Sequence, residues 1–210
     1  MRHCLFNEIL GLKEQLEVSC LVRMPPSKSP PTLILGAMPS EVRLINERLT
    51  RKSEGNLECF PYLSGWIGKQ RVVVAVTGVG ATNGAMVTTL FIHQFKPSEL
   101  IVSGTGSRFN HRIRIGDTII SRKTIHHAAG TLTSKGMIYR KVRGPLPGQM
   151  THWAYPPDPI LFKLAKRAVD SYQAEAVTVD GKIYTPSVQP GVVSASDLFG
   201  VSQAKINDMK

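Results

Sequence analysis

The sequence predicts an α/β fold, a three-layer sandwich in which helices cover both faces of a central mixed, largely parallel twisted sheet. Three observations carry this. Apolar runs of strand length recur at residues 32–35, 71–76 and 99–103. Each ends in a glycine-bearing turn, at Gly36, at Gly78-Val79-Gly80 and at Gly104-Thr105-Gly106-Ser107, and the first two turns open helical patterns. With 210 residues, 42% of them hydrophobic and 20% charged, the chain is long enough to bury one sizeable core in a single domain.

Taken in order, Leu5, Ile9, Leu12 and Leu16 share one helical face, and Pro25-Pro26 and Pro30-Pro31 bracket a Ser/Lys spacer. Residues 1–31 therefore read as an N-terminal helix and Pro-rich linker ahead of a domain spanning 32–210. The first strand, 32–35, leads into a helix with Val42, Ile45 and Leu49 on one face. Strands are expected at 58–64 and 71–76, with 65–69 as the turn between them. A helix over 81–94 repeats Val87, Phe91 and Phe95 at spacing four and is ended by Lys96-Pro97. Further buried strands are expected at 99–103 and 118–121. Residues 126–158, rich in Gly, Pro and polar groups, form a long irregular stretch of the kind that covers a site or an interface. Leu161, Leu164, Ala165 and Ala168 mark another amphipathic helix, 191–194 a last short strand, and 201–210 the start of a helix.

Composition narrows the function classes. No apolar run approaches the roughly 18 to 20 residues of a membrane-spanning helix, so no membrane partner is expected. Glu8, Lys13, Glu14 and Glu17 interrupt any hydrophobic leader. Cys4, Cys20 and Cys59 are odd in number and lack metal spacing, and read as small core residues in a reducing cytoplasm. Lys plus Arg is 26 against 15 Asp plus Glu, a net +11 that could attract nucleic acid. The charge is scattered, however. The nearest patch, Arg108, His111, Arg112 and Arg114 with Arg122 and Lys123 beyond, has no interleaved aromatic residues for base stacking, so a solvated basic face is expected and no nucleic-acid partner.

Several constellations carry chemistry. Gly78-Val79-Gly80-Ala81-Thr82-Asn83-Gly84 has GxGxxxG spacing between a strand and a helix, which admits a dinucleotide site. Such a unit wants an acid roughly 20 residues on, at the end of the next strand. Glu99 begins its strand instead, which favours a tight turn packed in the core. Gly104-Thr105-Gly106-Ser107 offers backbone N–H groups and two hydroxyls, suited to phosphate, to sugar hydroxyls, or to a plain turn. Glu41 decides between those ligands. If the Gly36, Thr77 and Gly104 turns meet, its carboxylate repels a phosphate by several kcal/mol in a low-dielectric pocket and can take a proton from water. Its plainer role is an acid favoured at a helix N-terminus, worth about 0.3–1 kcal/mol. A metal site from His111, His126 and His127 is not expected, because adjacent strand residues face opposite ways.

Gly36-Ala37-Met38-Pro39-Ser40-Glu41-Val42 resembles the Gly-Ala-Met-x-x-Glu-Val opening of the 5′-methylthioadenosine/S-adenosylhomocysteine nucleosidases, in the purine nucleoside phosphorylase superfamily. The resemblance continues in register. Thr77-Gly78-Val79-Gly80 is similar to the family's second turn, Gly104-Thr105-Gly106-Ser107 to its ribose loop, residues 115–121 to its Gly-Asp-x-Val-Val-Ser strand, and residues 193–199 to its purine-holding segment. It implies a nucleoside phosphorylase/hydrolase-like fold and hydrolysis of the N-glycosidic bond of adenine nucleosides such as 5′-methylthioadenosine or S-adenosylhomocysteine, as in methionine salvage. It also implies a cytoplasmic homodimer acting on a small purine nucleoside without cofactor or metal. Glu41 is then the catalytic carboxylate, Met38 packs near the sugar, and Thr105, Gly106 and Ser107 hold water or ribose hydroxyls. Ser194, Leu198 and Phe199 bind the purine, Phe199 by stacking.

This chain also departs from the family pattern. The family's leaving-group Asp, in a Ser-Asp pair, and its ribose-binding Glu, in a Glu-Met-Glu segment, fall beyond the point matching Lys210, so the resemblance implies a C-terminally shortened domain. Asp197 is offset by one residue from the purine-loop pattern, Arg108 stands where Gly is usual, and His126-His127 stands where His-Asp is common. A non-catalytic nucleoside- or purine-binding homologue and a nucleoside phosphorylase are the alternative readings.

Overall fold

Thr-Leu-Ile-Leu-Gly forms β1 (Thr32–Gly36), buried along its whole length, and a strand apolar on both faces needs cover on both. The computed structural model, which describes residues 29–110, 112–134, 136–141, 143–170 and 172–197, supplies it. The helices expected within 1–31 and 201–210 lie outside the described residues. β1 pairs in parallel with β4 (Gln70–Val76) on one side and β5 (Glu99–Val102) on the other. β2 (Thr50–Leu57) and β3 (Phe60–Ile67) add antiparallel neighbours, giving a five-stranded mixed sheet of order β2-β3-β4-β1-β5.

Alternation along these strands divides the core in two. Leu33, Leu35, Val73, Ala75 and Tyr62 pack with Val87 and Phe91 of helix α2 (Ala81–Phe95) on one face. Ile34, Val72 and Val74 pack with Val42 of α1 (Pro39–Arg48) and with Leu49, its C-cap, on the other. Helix, sheet and helix thus make three layers. On the α2 side the rings of Tyr62, Phe91 and Phe95 meet at centroid distances of 5.0–5.9 Å, two of the three contacts edge-to-face.

Two expectations change at the antiparallel end. The strand expected at 58–64 begins at Phe60, and the turn expected at 65–69 is the tight link between Ile67 and Gln70. Gly65 lies inside β3, where a Cβ would stand 2.8 Å from the Thr50 carbonyl, so this glycine serves close approach at the irregular start of β2. β2 itself, Thr-Arg-Lys-Ser-Glu-Gly-Asn-Leu, is a mostly exposed edge strand and shows no apolar alternation to read. Cys59, expected in the core, is exposed at the β2–β3 turn.

The described chain divides between Thr105 and Gly106 into two compact units. In the second, β6 (Thr118–His126) runs parallel to β11 (Val188–Ala195), both longer than expected. The stretch expected to be irregular contains a hairpin, β7 (Gly130–Thr133) with β8 (Gly136–Tyr139). Helix α3 (Pro159–Asp170) is capped by Asp158, whose Oδ1 accepts the N–H groups of Ile160 and Leu161, each at 2.9 Å. β9 (Val177–Val179) and β10 (Lys182–Tyr184) form a second hairpin through Asp180-Gly181.

The turn before β6 is held by Asp117, whose side chain is 1% exposed. Its oxygens accept the N–H of Ser187 at 2.7 Å and of Arg114 at 2.8 Å. Arg114 also stacks on the Tyr184 ring, 4.3 Å from its centroid, and donates to the Thr185 carbonyl. The Ser187 N–H, then that of Arg114, hold the Asp117 carboxyl below the usual range against the opposing effect of burial.

Two outcomes are expected. Phe91→Ala empties a fully buried position and lowers the unfolding free energy by about 3–5 kcal/mol, read from urea midpoints. A depressed native pKa adds stability above the unfolded pKa near 4, lost as pH falls through the native value. Asp117→Asn should therefore be less stable than the parent at pH 7, with the gap closing below about pH 4.

Candidate active site

The parallel strands β4, β1 and β5 end together. Beyond those ends the Thr77 N–H donates to the Gly36 carbonyl at 2.8 Å, and the Ser103 N–H to the Leu35 carbonyl at 2.9 Å. Nothing larger than glycine fits at position 36, because a Cβ there would lie 2.8 Å from Cγ1 of Val42 and 3.2 Å from the Ser103 carbonyl. The chain turns at once into α1, with Met38 as N-cap and Pro39 in the first turn. Ser103 Oγ donates to the Glu41 carbonyl at 2.9 Å and ties that first turn to the end of β5.

Glu41, third residue of α1, sits at the meeting point. Its Oε2 accepts the N–H of Ala37 at 2.7 Å and of Met38 at 3.0 Å, the returning half of a capping box. Its Oε1 accepts the N–H and the hydroxyl of Thr105, both at 2.8 Å. Capping needs one oxygen. The other reaches across to a residue 64 positions away, so the carboxylate binds two strand ends together. Burial pushes the Glu41 carboxyl up, but the Thr105 hydroxyl and the N–H groups of Thr105, Met38 and Ala37 outweigh it and hold the group below the usual carboxylate range. Glu41 is therefore an anion at neutral pH, beside the positive end of a helix. Of its four donors, three are fixed backbone groups and one is a hydroxyl that can rotate away.

Met38, through its backbone N–H, and Thr105 are thus brought onto Glu41. Gly106 and Ser107 are exposed and follow directly in the chain, in the second unit. Ser194 lies in that unit too, its hydroxyl 2.7 Å from Nδ1 of His127. His126 is exposed, and His111, Leu198 and Phe199 lie outside the described residues. Ala37 and Ser103 were not foreseen. One contributes a backbone N–H, which leaves no trace in side-chain chemistry, and the other is a strand-ending serine whose hydrogen bond spans 62 positions. Two cavities of about 550 and 320 Å³ open along the flank of α1 and share Asn46, but neither is lined by Glu41 or Thr105. The Glu41 cluster is an open shelf at the strand ends. Glu99 stands at the opposite end of the sheet from Gly78 and accepts from the Thr32 hydroxyl at 2.8 Å, so no acid of the dinucleotide type faces that glycine turn from β5.

Fold and site define an α/β protein of the nucleoside phosphorylase type. The chain belongs to the phosphorylase superfamily, whose family model matches residues 31–209. Within it, the similarity is to 5′-methylthioadenosine/S-adenosylhomocysteine nucleosidases. That of an Exiguobacterium species is 31% identical over 138 residues, 66% of this chain and 56% of that protein. That of Bacillus cereus is 28% identical over 152 residues, 72% of this chain and 62% of its own length. This chain therefore spans less than two thirds of either relative. Among solved structures, the Neisseria meningitidis nucleosidase in complex with methylthio-immucillin-A superposes with a TM-score of 0.68 at 24% identity, covering 86% of this chain and 70% of that one. The Streptococcus pyogenes enzyme with 5-methylthiotubericidin gives 0.68 at 23% identity, covering 88% and 70%. These likenesses establish the fold.

Removing one donor should register on the carboxylate. In Thr105→Val the Glu41 pKa, followed by carbon-13 NMR titration, is expected to rise towards the ordinary value, while Ser40→Ala should leave it in place.

Proposed function

We propose that this protein hydrolyses the N-glycosidic bond of adenine nucleosides bearing a 5′ thioether, 5′-methylthioadenosine or S-adenosylhomocysteine, and releases adenine. The observation that carries this is the reach of Glu41 beyond its helix cap to Thr105. The names of the relatives support the substrate class.

In this reading the Thr105 hydroxyl swings aside and a water takes its place on Oε1. As the C1′–N9 bond lengthens, positive charge builds on the ribosyl carbon, and the fixed anion stabilises it. The water oxygen bonds to C1′, its proton passes to Glu41, and the electron pair of the broken bond leaves with adenine, which takes up a proton from a separate acid. Met38 covers the sugar, Gly106 and Ser107 hold its hydroxyls, and Ser194, Leu198 and Phe199 form the purine side. Residues 32–210 form the nucleoside-handling domain, working as a homodimer in the cytoplasm. Phosphorolysis is disfavoured, since an anion about 4 Å from a phosphate costs roughly 4 kcal/mol at an effective dielectric of 20.

One feature supports a second reading: both Glu41 oxygens already hold two donors each, as suits a nucleoside-binding shelf without turnover. Adenine release from 5′-methylthioadenosine separates the two. Turnover is expected, reduced about 10²- to 10⁴-fold in Glu41→Gln with KM little changed. Because the Glu41 pKa is depressed in the free protein, the acid limb of kcat/KM should lie below the ordinary carboxylate range near pH 4.3. Calorimetric binding with no adenine released would select the second reading.

A further inference from the structure

Asn46 stands on the sheet-facing side of α1, four residues after Val42 and three before Leu49, both of them buried. Its neighbours on that side are apolar: Val42 and Leu49 pack there on Ile34, Val72 and Val74, with Ile45 against them. An amide in such company needs partners. The Oδ1 atom of Asn46 is buried and has no hydrogen-bond partner among the described residues. A buried acceptor left unpaired lowers stability, and a leucine of similar size at the same place would carry no such penalty. Folding alone therefore gives no reason for an asparagine here.

The two cavities along the flank of α1 supply one. Asn46 and Leu63 line both, and the larger, of about 550 Å³, is completed by Pro39, Arg43 and Lys52 among others. A space of that size suits a small organic ligand better than a single water. Glu47 offsets Arg43 in the larger cavity at 2.7 Å, and the charged group lining the smaller is Glu54, so an anion finds little favour in either. Leu63 and Pro39 offer apolar contact to a ring. An asparagine amide carries an acceptor and a donor side by side, the complement of a ring amine next to a ring nitrogen. Rotation about its soft χ2 torsion swings that edge from beneath the helix towards the cavity.

We propose that the larger cavity on the flank of α1 binds a neutral aminoheterocycle of the adenine class, read by the Asn46 amide and covered by Leu63. This site is distinct from the Glu41 shelf, since neither Glu41 nor Thr105 lines the cavity. It lies wholly within the first unit and requires no turnover at Glu41.

The test is titration of the full chain with adenine, followed by nitrogen-15 NMR and by calorimetry. Saturable shifts of the Asn46 side-chain amide signals and of the Arg43 and Leu63 backbone signals are expected. Asn46→Leu should weaken this binding about 10- to 100-fold, as for a lost bidentate pair. Without ligand it should be at least as stable to urea as the parent. Lys52→Trp, at an exposed strand position, narrows the larger cavity and should weaken binding about tenfold. Adenine is also the product of the proposed reaction, so a second binding event at the strand ends is expected if that reaction holds. Asn46→Leu should keep that event and the parental rate of adenine release from 5′-methylthioadenosine. A parent that releases no adenine would count against the reaction alone, because the flank site is read from its own signals. Unmoved Asn46 signals at millimolar adenine, or binding unchanged in both variants, would overturn the site. So would a lower urea midpoint in Asn46→Leu, the mark of an amide held by a structural water.

Discussion

A single carboxylate organises the end of the parallel sheet. Glu41 takes two N–H groups from the turn after β1 and two donors from Thr105 in the turn after β5, so the start of α1 and the turn beyond a neighbouring strand share one anion. Much of the local architecture serves that arrangement. Gly36 must lack a side chain for α1 to turn back closely enough, Ser103 ties the first helical turn to β5, and the fully buried β1 fixes where the strand ends lie. An ionised group held by fixed dipoles needs little reorganisation when charge develops opposite it, the physical basis of electrostatic catalysis.

The capping role of Glu41 and its proposed chemical role can coexist because a carboxylate has two oxygens. Oε2 completes the helix terminus with groups that cannot move without unwinding the first turn. Oε1 meets one rigid N–H and one rotatable hydroxyl, and in the proposed function that difference lets a water enter without disturbing the fold. In the proposed function the same negative charge favours hydrolysis over phosphorolysis, since an architecture shared by both reactions cannot itself choose between them.

The second unit is built on a different principle. Its turns are pinned by polar side chains, with Asp117 holding the backbone of Ser187 and Arg114, Asp158 starting α3, and Arg114 lying over Tyr184. Its charge is segregated along the chain: the acid-free stretch falls between Asp117 and Asp158, and backbone hydrogen bonds join Ala129 to Arg140 and Thr124 to Tyr155 within it.

Elements buried on both sides were legible from residues alone. β1, α1 and α2 write their environment into continuous apolar runs or into a period near 3.6, as Val87, Phe91 and Phe95 show. β2 was not, because an edge strand with one neighbour and mostly exposed side chains carries no such pattern, and Gly65 was misread because close packing and turning both select glycine. The short β7–β8 and β9–β10 hairpins are too brief for periodicity to register. By itself the sequence determined the α/β class, the buried strands and the placement of an acid in the first turn of a helix, since these rest on hydrophobic spacing and local turn chemistry. Only the tertiary structure decided that Thr105 would meet that acid, because hydrogen bonds between distant segments have no signature in local order.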